Sequence, residues 1–410
     1  MASAVAAQPG STLPPLPTFK GRTGWEFTDL SGVDVDAYAP VETGEGDASA
    51  VERAEALFEA PEGSVRIAQV DGRPLAEGVG EAGEPIVLPL DVAADRFPEL
   101  VEPHLGSVVP IGDPFVARND SAWTGGAFVY VPRGRMLNKP AMLAQIQDAS
   151  GRAVVRRTLI VLEEGAEAEV WEQYLSAGDD LDGVFNAVVE IVVGANARLR
   201  YVCGQALSAK TTIFGTQRAV VDAAGSLEWV ALGFGSGNGQ VRMETQLRGE
   251  GAEARVTGAY ATGGRQHVDF DTTQEHAAAH TTSDLSFRGV LAGRSSSVWR
   301  GMIKVDPGAQ QTDAFQDNRN LLLSKRAHAD AIPGLEILAN DVRCTHAAAV
   351  AQLDREQLFY LMSRGLPREA AQRLIIDGFL QALAERLGEG TLHDAVSAAL
   401  ERRLAVLLDR

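Results

Sequence analysis

A constant spacing constrains this chain more than any single motif does. The segments GAEAEV, GANARL, AAGSL and GAEARV each place an apolar residue after a turn of small residues, at Val170, Leu199, Leu227 and Val256. Leu285 in SDLSF continues the series, and the intervals are 29, 28, 29 and 29 residues. The same stretch is filled with short alternating runs such as VVRRTLIVLEE, FNAVVEIVVG and SLEWVALGFG, and shows no 3.6-residue period. A regular repeat made of strands predicts a solenoid, in which every coil stacks on the one before and inward apolar ladders form the core. Two or three strands of about six residues plus turns would fill each coil. Gly, Asn and Asp suit its tight corners. A β-sandwich would supply strands and turns, but not this regularity.

The flanks read differently. Residues 1–18 (MASAVAAQPGSTLPPLPT) lack a basic start and an apolar core, and read as a disordered Ala/Pro tail without a secretion signal. Residues 19–104 have mixed texture, with a helix expected over Ala48–Glu59, and form a small helical or α/β region. The solenoid is expected over 105–335. Residues 336–410 complete the chain as a short segment followed by a helical domain. There Asp354 with Gln357 three residues on opens a helix that carries Leu358, Phe359 and Tyr360. Gly365-Leu366-Pro367 then makes a turn. Ala371, Leu374, Ile375, Gly378, Phe379, Ala382, Leu383 and Leu387 mark the apolar stripe of the next helix, and a last helical run covers Leu392–Leu408.

Bulk properties exclude several classes. A net charge of -18 with no basic block argues against nucleic-acid binding, which depends on neutralising phosphates. No run approaches the roughly 18 apolar residues of a membrane span. Two cysteines far apart, Cys203 and Cys344, make no disulfide framework, so a reducing cytoplasm is the expected compartment.

Few residues carry candidate chemistry. Cys344 and His346 stand two apart in a segment that reads as extended, so both project from one strand face. On spacing alone, a buried thiol beside a solvated imidazole is the plainer reading. As metal ligands the two would need others from elsewhere in the fold or from a partner chain. QHVDFDTTQEHAAAH gathers His267, Asp269, Asp271, His276 and His280. The first three share a strand face expected to meet solvent or a partner. His276 and His280 have helical spacing without an HExxH context, which excludes a zincin site. Gly233, Gly235, Gly237 and Gly239 resemble a phosphate loop but lack its lysine and its following helix, so a solenoid turn is expected. No nucleophile elbow or kinase motif is present.

These segments also carry a family likeness. GWEFTDL, QHVDFDTTQEH, and the stretch from Gly301 through TDAFQDNRNLLLS, PGLEI, DVRCTH and LFYLMSRGL resemble the SufB/SufD family, subunits of the SufBCD iron–sulfur cluster assembly scaffold. The start motif, the C-T-H block and the short length are nearer its SufD branch. The resemblance implies a right-handed parallel β-helix between an N-terminal helical region and a C-terminal helical domain. It implies no catalytic turnover, pairing with SufB through the β-helix, and docking of the ATPase SufC on the C-terminal helices around Leu358, Phe359 and Tyr360. A homodimer of the isolated chain is compatible with it. A nascent iron–sulfur cluster is expected at the interface of the two β-helices, with His346 matching the family histidine and Cys344 its adjacent cysteine. Reduced flavin is associated with such complexes, but no motif here places it. The family pattern H-G-A-T-V-G reads His346-Ala347-Ala348-Ala349-Val350-Ala351 here, so the local backbone is expected to be extended.

Overall fold

The computed structural model describes residues 13–17, 25–76, 78–109 and 112–408; most of the predicted tail (1–12 and 18) and Gly24 of GWEFTDL lie outside the described residues. Its body is a parallel β-solenoid. Successive strands alternate between two ten-stranded sheets, so each strand pairs with the next but one in the chain. Sheet A runs outward through Arg152–Leu162, Gly183–Val193, Thr211–Val221, Asn238–Leu247, His267–His276, Ser296–Val305 and His328–Ile337. Sheet B runs through Glu167–Ser176, Arg198–Ala206, Ser226–Gly233, Glu253–Thr262, Thr282–Leu291, Thr312–Leu322 and Val342–Gln352.

The predicted ladder exists, but it occupies two columns rather than one. Leu199 pairs with Leu227 and Val256 with Leu285, whereas Val170 pairs with Tyr201 and Leu227 with Ala254. The true columns lie two residues apart on one inward face. One reads Val170, Tyr201, Trp229, Val256, Leu285, Gln316 and His346, at intervals of 27 to 31 residues. The other reads Ala168, Leu199, Leu227, Ala254, Ser283, Ala314 and Cys344. A constant count hopped between them because the corners absorb one or two residues per coil.

One corner position recurs with the same intervals. Gly165, Asn196, Ala224, Gly251, His280 and Gln311 all have φ between 52° and 71°. The N–H of each donates to the carbonyl of the residue before the next corner, from Gly165 to Ala195 through Gln311 to Asp341. Gly and Asn adopt this left-handed conformation at low cost, and the stacked hydrogen bonds hold the other side chains there. His280 therefore sits in a turn, and the helical spacing of His276 and His280 does not correspond to a helix.

Both sheets are covered on their outer faces. Over sheet A lie α2 (Leu90–Arg96), α3 (Pro98–Val101) and α4 (Pro114–Ala122), following the single turn α1 (Ala50–Arg53). The helix expected over Ala48–Glu59 is reduced to that turn. Leu57 and Phe58 leave it to bury themselves over sheet B, where Gln173 Oε1 accepts from both backbone N–H groups at 2.9 and 3.2 Å. Conversely, α4 arises inside the expected solenoid. Asp113 caps it by accepting from Phe115 N and Val116 N, and Pro114 occupies its first turn. Beneath α4, fully buried Arg157 pairs with Glu190 at 2.6 Å and with Asp120.

The C-terminal helices are α5 (Arg355–Ser363), α6 (Arg368–Ala384) and α7 (Thr391–Leu408). Asp354 caps α5 by accepting from Glu356 N, and Gly365, at φ 97°, makes the predicted turn. Helices α6 and α7 bury Ile376, Leu380, Leu383, Val396, Leu400 and Leu404 against Val230, Leu232, Ala259 and Val290 of sheet B. The buried stripe of α6 runs through Ala371, Ile376 and Leu380, which leaves Leu374 exposed. No described helix is long and apolar enough to cross a membrane.

Candidate functional site at the open end of the solenoid

The last strand of sheet B, Val342–Gln352, pairs only with Thr312–Leu322, and the last strand of sheet A, His328–Ile337, pairs only with Ser296–Val305. Both therefore present an unpaired backbone edge. Positions that point inward in earlier coils are exposed here for want of a covering layer. Ile303 and Val305 are fully buried, while Leu335 and Ile337, stacked on them, are 38% and 40% exposed. Val350, stacked on Asn320, is 44% exposed.

Cys344 and His346 lie on this edge strand, on its inward face, as the last members of their two columns. At about 3.3 Å per residue their α-carbons stand roughly 7 Å apart. Cys344 is half-buried against Ile303, Val305 and Ala314. Burial, helped by the nearby Asp313 carboxylate, pushes its thiol pKa up, so the protonated form is favoured. His346 is exposed above Gln316. The backbone from Ala347 to Ala351 continues as strand, which explains how alanines replace the family glycines. No group of three or more His, Cys, Asp or Glu among the described residues is placed to hold a metal. The two side chains alone make no metal site, and they stand on an edge strand that no further strand pairs with among the described residues.

The other cysteine is remote from this edge. Cys203 is buried inside the solenoid, where its Sγ accepts from Gln217 Nε2 at 3.4 Å. Burial and neighbouring Glu172 push its thiol up to about 12.

The residues of QHVDFDTTQEH are dispersed in space. His276 points into the interior and bonds Thr281 Oγ1 at 2.8 Å and Ser283 Oγ at 2.9 Å; burial lowers its pKa to about 4. His267, Asp269 and Asp271 do share the outer face, but that face is not open. Trp25–Leu30 lies across it. Thr28 is fully buried and donates to Asp269 Oδ2, Arg300 reaches Glu26 at 3.1 Å, and Asn238 Nδ2 donates to the Asp29 carbonyl. The sequence held both halves of this contact, but no local signal linked them.

On α5, Leu358 turns inward and is buried, whereas Phe359 is 72% and Tyr360 55% exposed. The run of glycines forms the turn between Ser226–Gly233 and Asn238–Leu247, as expected. The N–H groups of Gly235 and Gly237 donate to Gln205 and Thr211 carbonyls of the coil below, so they are committed to stacking.

Comparison with known proteins decides the family. Residues 145–379, more than half of the chain, match the family described as SUF system FeS cluster assembly, SufBD core domain. The chain belongs to the SufBD family. Among curated SufBD relatives, the iron-sulfur cluster assembly protein SufD of Bacillus subtilis (strain 168) is 33% identical over 282 residues, 68% of this chain and 64% of that protein. A SufBD family protein of Staphylococcus haemolyticus (strain JCSC1435) is 30% identical over 298 residues, 72% of this chain and 64% of its own. The match thus spans 64% of the length of these relatives. The SufBD core match covers most of the solenoid and runs through α5 into α6.

Proposed function

We propose that this chain is a scaffold subunit of iron–sulfur cluster assembly in the reducing cytoplasm, without turnover of its own. Its open solenoid end pairs with SufB, and the exposed α5 face, through Phe359 and Tyr360, docks the ATPase SufC. The nascent cluster is cargo held between two subunits, with His346 as a ligand from this side and Cys344 beside it. One observation carries this reading: both inward columns end on Cys344 and His346 at an unpaired edge, where a second chain would complete the ligand set. An imidazole exposed at such an edge can face a partner's ligands, while a half-buried thiol favoured in its protonated form makes the weaker donor. Any flavin would belong to the assembled complex.

The test is His346→Ala in the whole complex, with anaerobic reconstitution followed by absorption and Mössbauer spectroscopy. Cluster yield falls while co-purification with SufB and SufC is unchanged. Wild-type yield from that variant would remove His346 from the site and leave the chain as an adaptor.

A further inference from the structure

Arg265, Arg294 and Arg326 stand two residues before His267, Ser296 and His328 respectively, and those three residues pair in register across sheet A. The arginines therefore occupy one corner column on successive coils. Gly264 and Gly293, left-handed at φ 59° and 66°, precede the first two, and the Arg294 N–H donates to the Gly264 carbonyl at 2.7 Å. The third corner is one residue longer and adds Lys325. All four side chains are exposed. Earlier corners of the column carry Ser236 and Lys210, and Lys210 pairs with Asp180 at 2.8 Å.

Stacked cations are handled differently on the sheets. Arg198 stacks on Glu167, Arg200 between Glu169 and Glu228, and Arg218 on Glu244, each with an ion pair to its neighbour. The corner column lacks this alternation. None of Arg265, Arg294, Lys325 and Arg326 forms an ion pair among the described residues. Asp330, the first carboxylate of the strand that follows Arg326, lies 3.1 Å from His328. Like charges stacked on neighbouring strands repel. On a chain of net charge -18, these cations make a local field of opposite sign, and an anionic partner would relieve their repulsion.

Spacing selects the partner. Rungs about 4.8 Å apart put the outer two arginines roughly 10 Å from each other. Carboxylates at i, i+4 and i+7 of an α-helix span about 10.5 Å, so a helix laid along the column presents an acid to every rung. Alternate side chains of an extended segment recur at roughly 6.7 Å and fall out of step. Each guanidinium fork can hold one carboxylate through two N–H donors. A nucleic acid or an anionic bilayer would instead carry phosphates past the column, over the acidic remainder of the surface.

We propose that the corner column of Arg265, Arg294 and Arg326 docks an acidic helix of a partner protein, laid along the solenoid axis with Lys325 at one end. The surface uses neither strand addition at the open edge nor α5, so it does not depend on the pairings proposed above.

Fluorescence anisotropy of the full chain with a labelled, capped alanine-based helix carrying Glu at i, i+4 and i+7 tests it. That peptide binds saturably at low salt and is released as ionic strength rises. A peptide of the same composition with its Glu residues on different faces binds at least roughly tenfold more weakly, and the Gln counterpart does not bind. Arg294→Glu abolishes binding while the circular dichroism spectrum and Tm stay unchanged, because the side chain is exposed. Arg198→Glu makes the same charge change at an exposed arginine outside the column, and leaves affinity within about twofold. Absence of saturable binding by the matched helix would overturn the proposal. So would equal affinity for the peptide with scattered Glu, or undiminished binding by Arg294→Glu. A short DNA duplex bound more tightly than the helix, or a dimer of the chain that Arg294→Glu dissolves, would overturn the choice of partner.

Discussion

The Thr28 hydroxyl donates to Asp269 Oδ2 across 2.7 Å, joining residues 241 positions apart. Around this bond, Gln240 Nε2 also donates to Asp269, the Arg300 guanidinium lies 3.5 Å away, and the same guanidinium stands 6.0 Å from the Phe27 ring centre. Two segments that carry the family likeness are therefore the two sides of one contact. The N-terminal segment is a strap sealed onto the outer face of sheet A.

Asp269 gives that strap a pH signature. Burial raises its pKa to about 6 despite Arg300 and Thr28, against 3.8 for a free aspartate. Between these values the folded chain holds a proton that the unfolded chain has lost, so its contribution to stability is full below pH 3.8 and declines until about pH 6. Asp269→Asn removes that decline. Relative to wild type, the variant gains on the order of 3 kcal/mol as pH rises across the window. Denaturant titrations at stepped pH measure it, and parallel curves would refute it.

His276 acts with the opposite sign. Burial depresses its pKa from 6.5 to about 4, so the unfolded chain binds the extra proton between these values. Its contribution is full above pH 6.5 and is lost as pH falls toward 4. His276→Gln, which can keep one hydrogen bond to Thr281 or Ser283, flattens the acid limb by about 3 kcal/mol. The two groups offset each other in the wild type, and the single variants expose each slope.

The cysteines differ in accessibility. Iodoacetamide at neutral pH is expected to modify half-buried Cys344 slowly and to leave Cys203 untouched until the chain unfolds. Peptide mapping by mass spectrometry with and without denaturant reads the order. Native labelling of Cys203 would contradict its place inside the solenoid.

A charge placed on the terminal coil separates folding from pairing. Leu335→Lys and Val350→Lys stand at exposed edge positions, so the isolated chain should keep its stability within about 0.5 kcal/mol. The proposed association with SufB should weaken by at least roughly tenfold, because a lysine on an edge strand opposes strand addition. Sedimentation velocity of the mixed chains, beside thermal melts of each alone, distinguishes the two effects.

What could be read from the chain follows the range of each interaction. The solenoid was legible because its corners and ladders recur locally, and α5 because Asp354 signals its own cap. The exact columns were not, since corner lengths vary and only pairing fixes register. The start of α4 was written in Asp113-Pro114 but was hidden among strand-like neighbours. The buried Arg157–Glu190 pair joins residues 33 positions apart beneath a helix, and no local pattern links them. Cys344 and His346 were correctly seen on one strand face; the register alone shows that they terminate two inward columns. Nothing near His267 or Asp269 announced the strap that covers them.

Because each coil touches only its neighbours, a solenoid of this kind gains stability layer by layer. Its final layer has one neighbour where every interior layer has two. The strand bearing Cys344 and His346 is therefore where the stack frays first and exchanges amide hydrogens fastest. A chain that docks there supplies the missing neighbour, so recognition and the ordering of the two side chains become a single equilibrium.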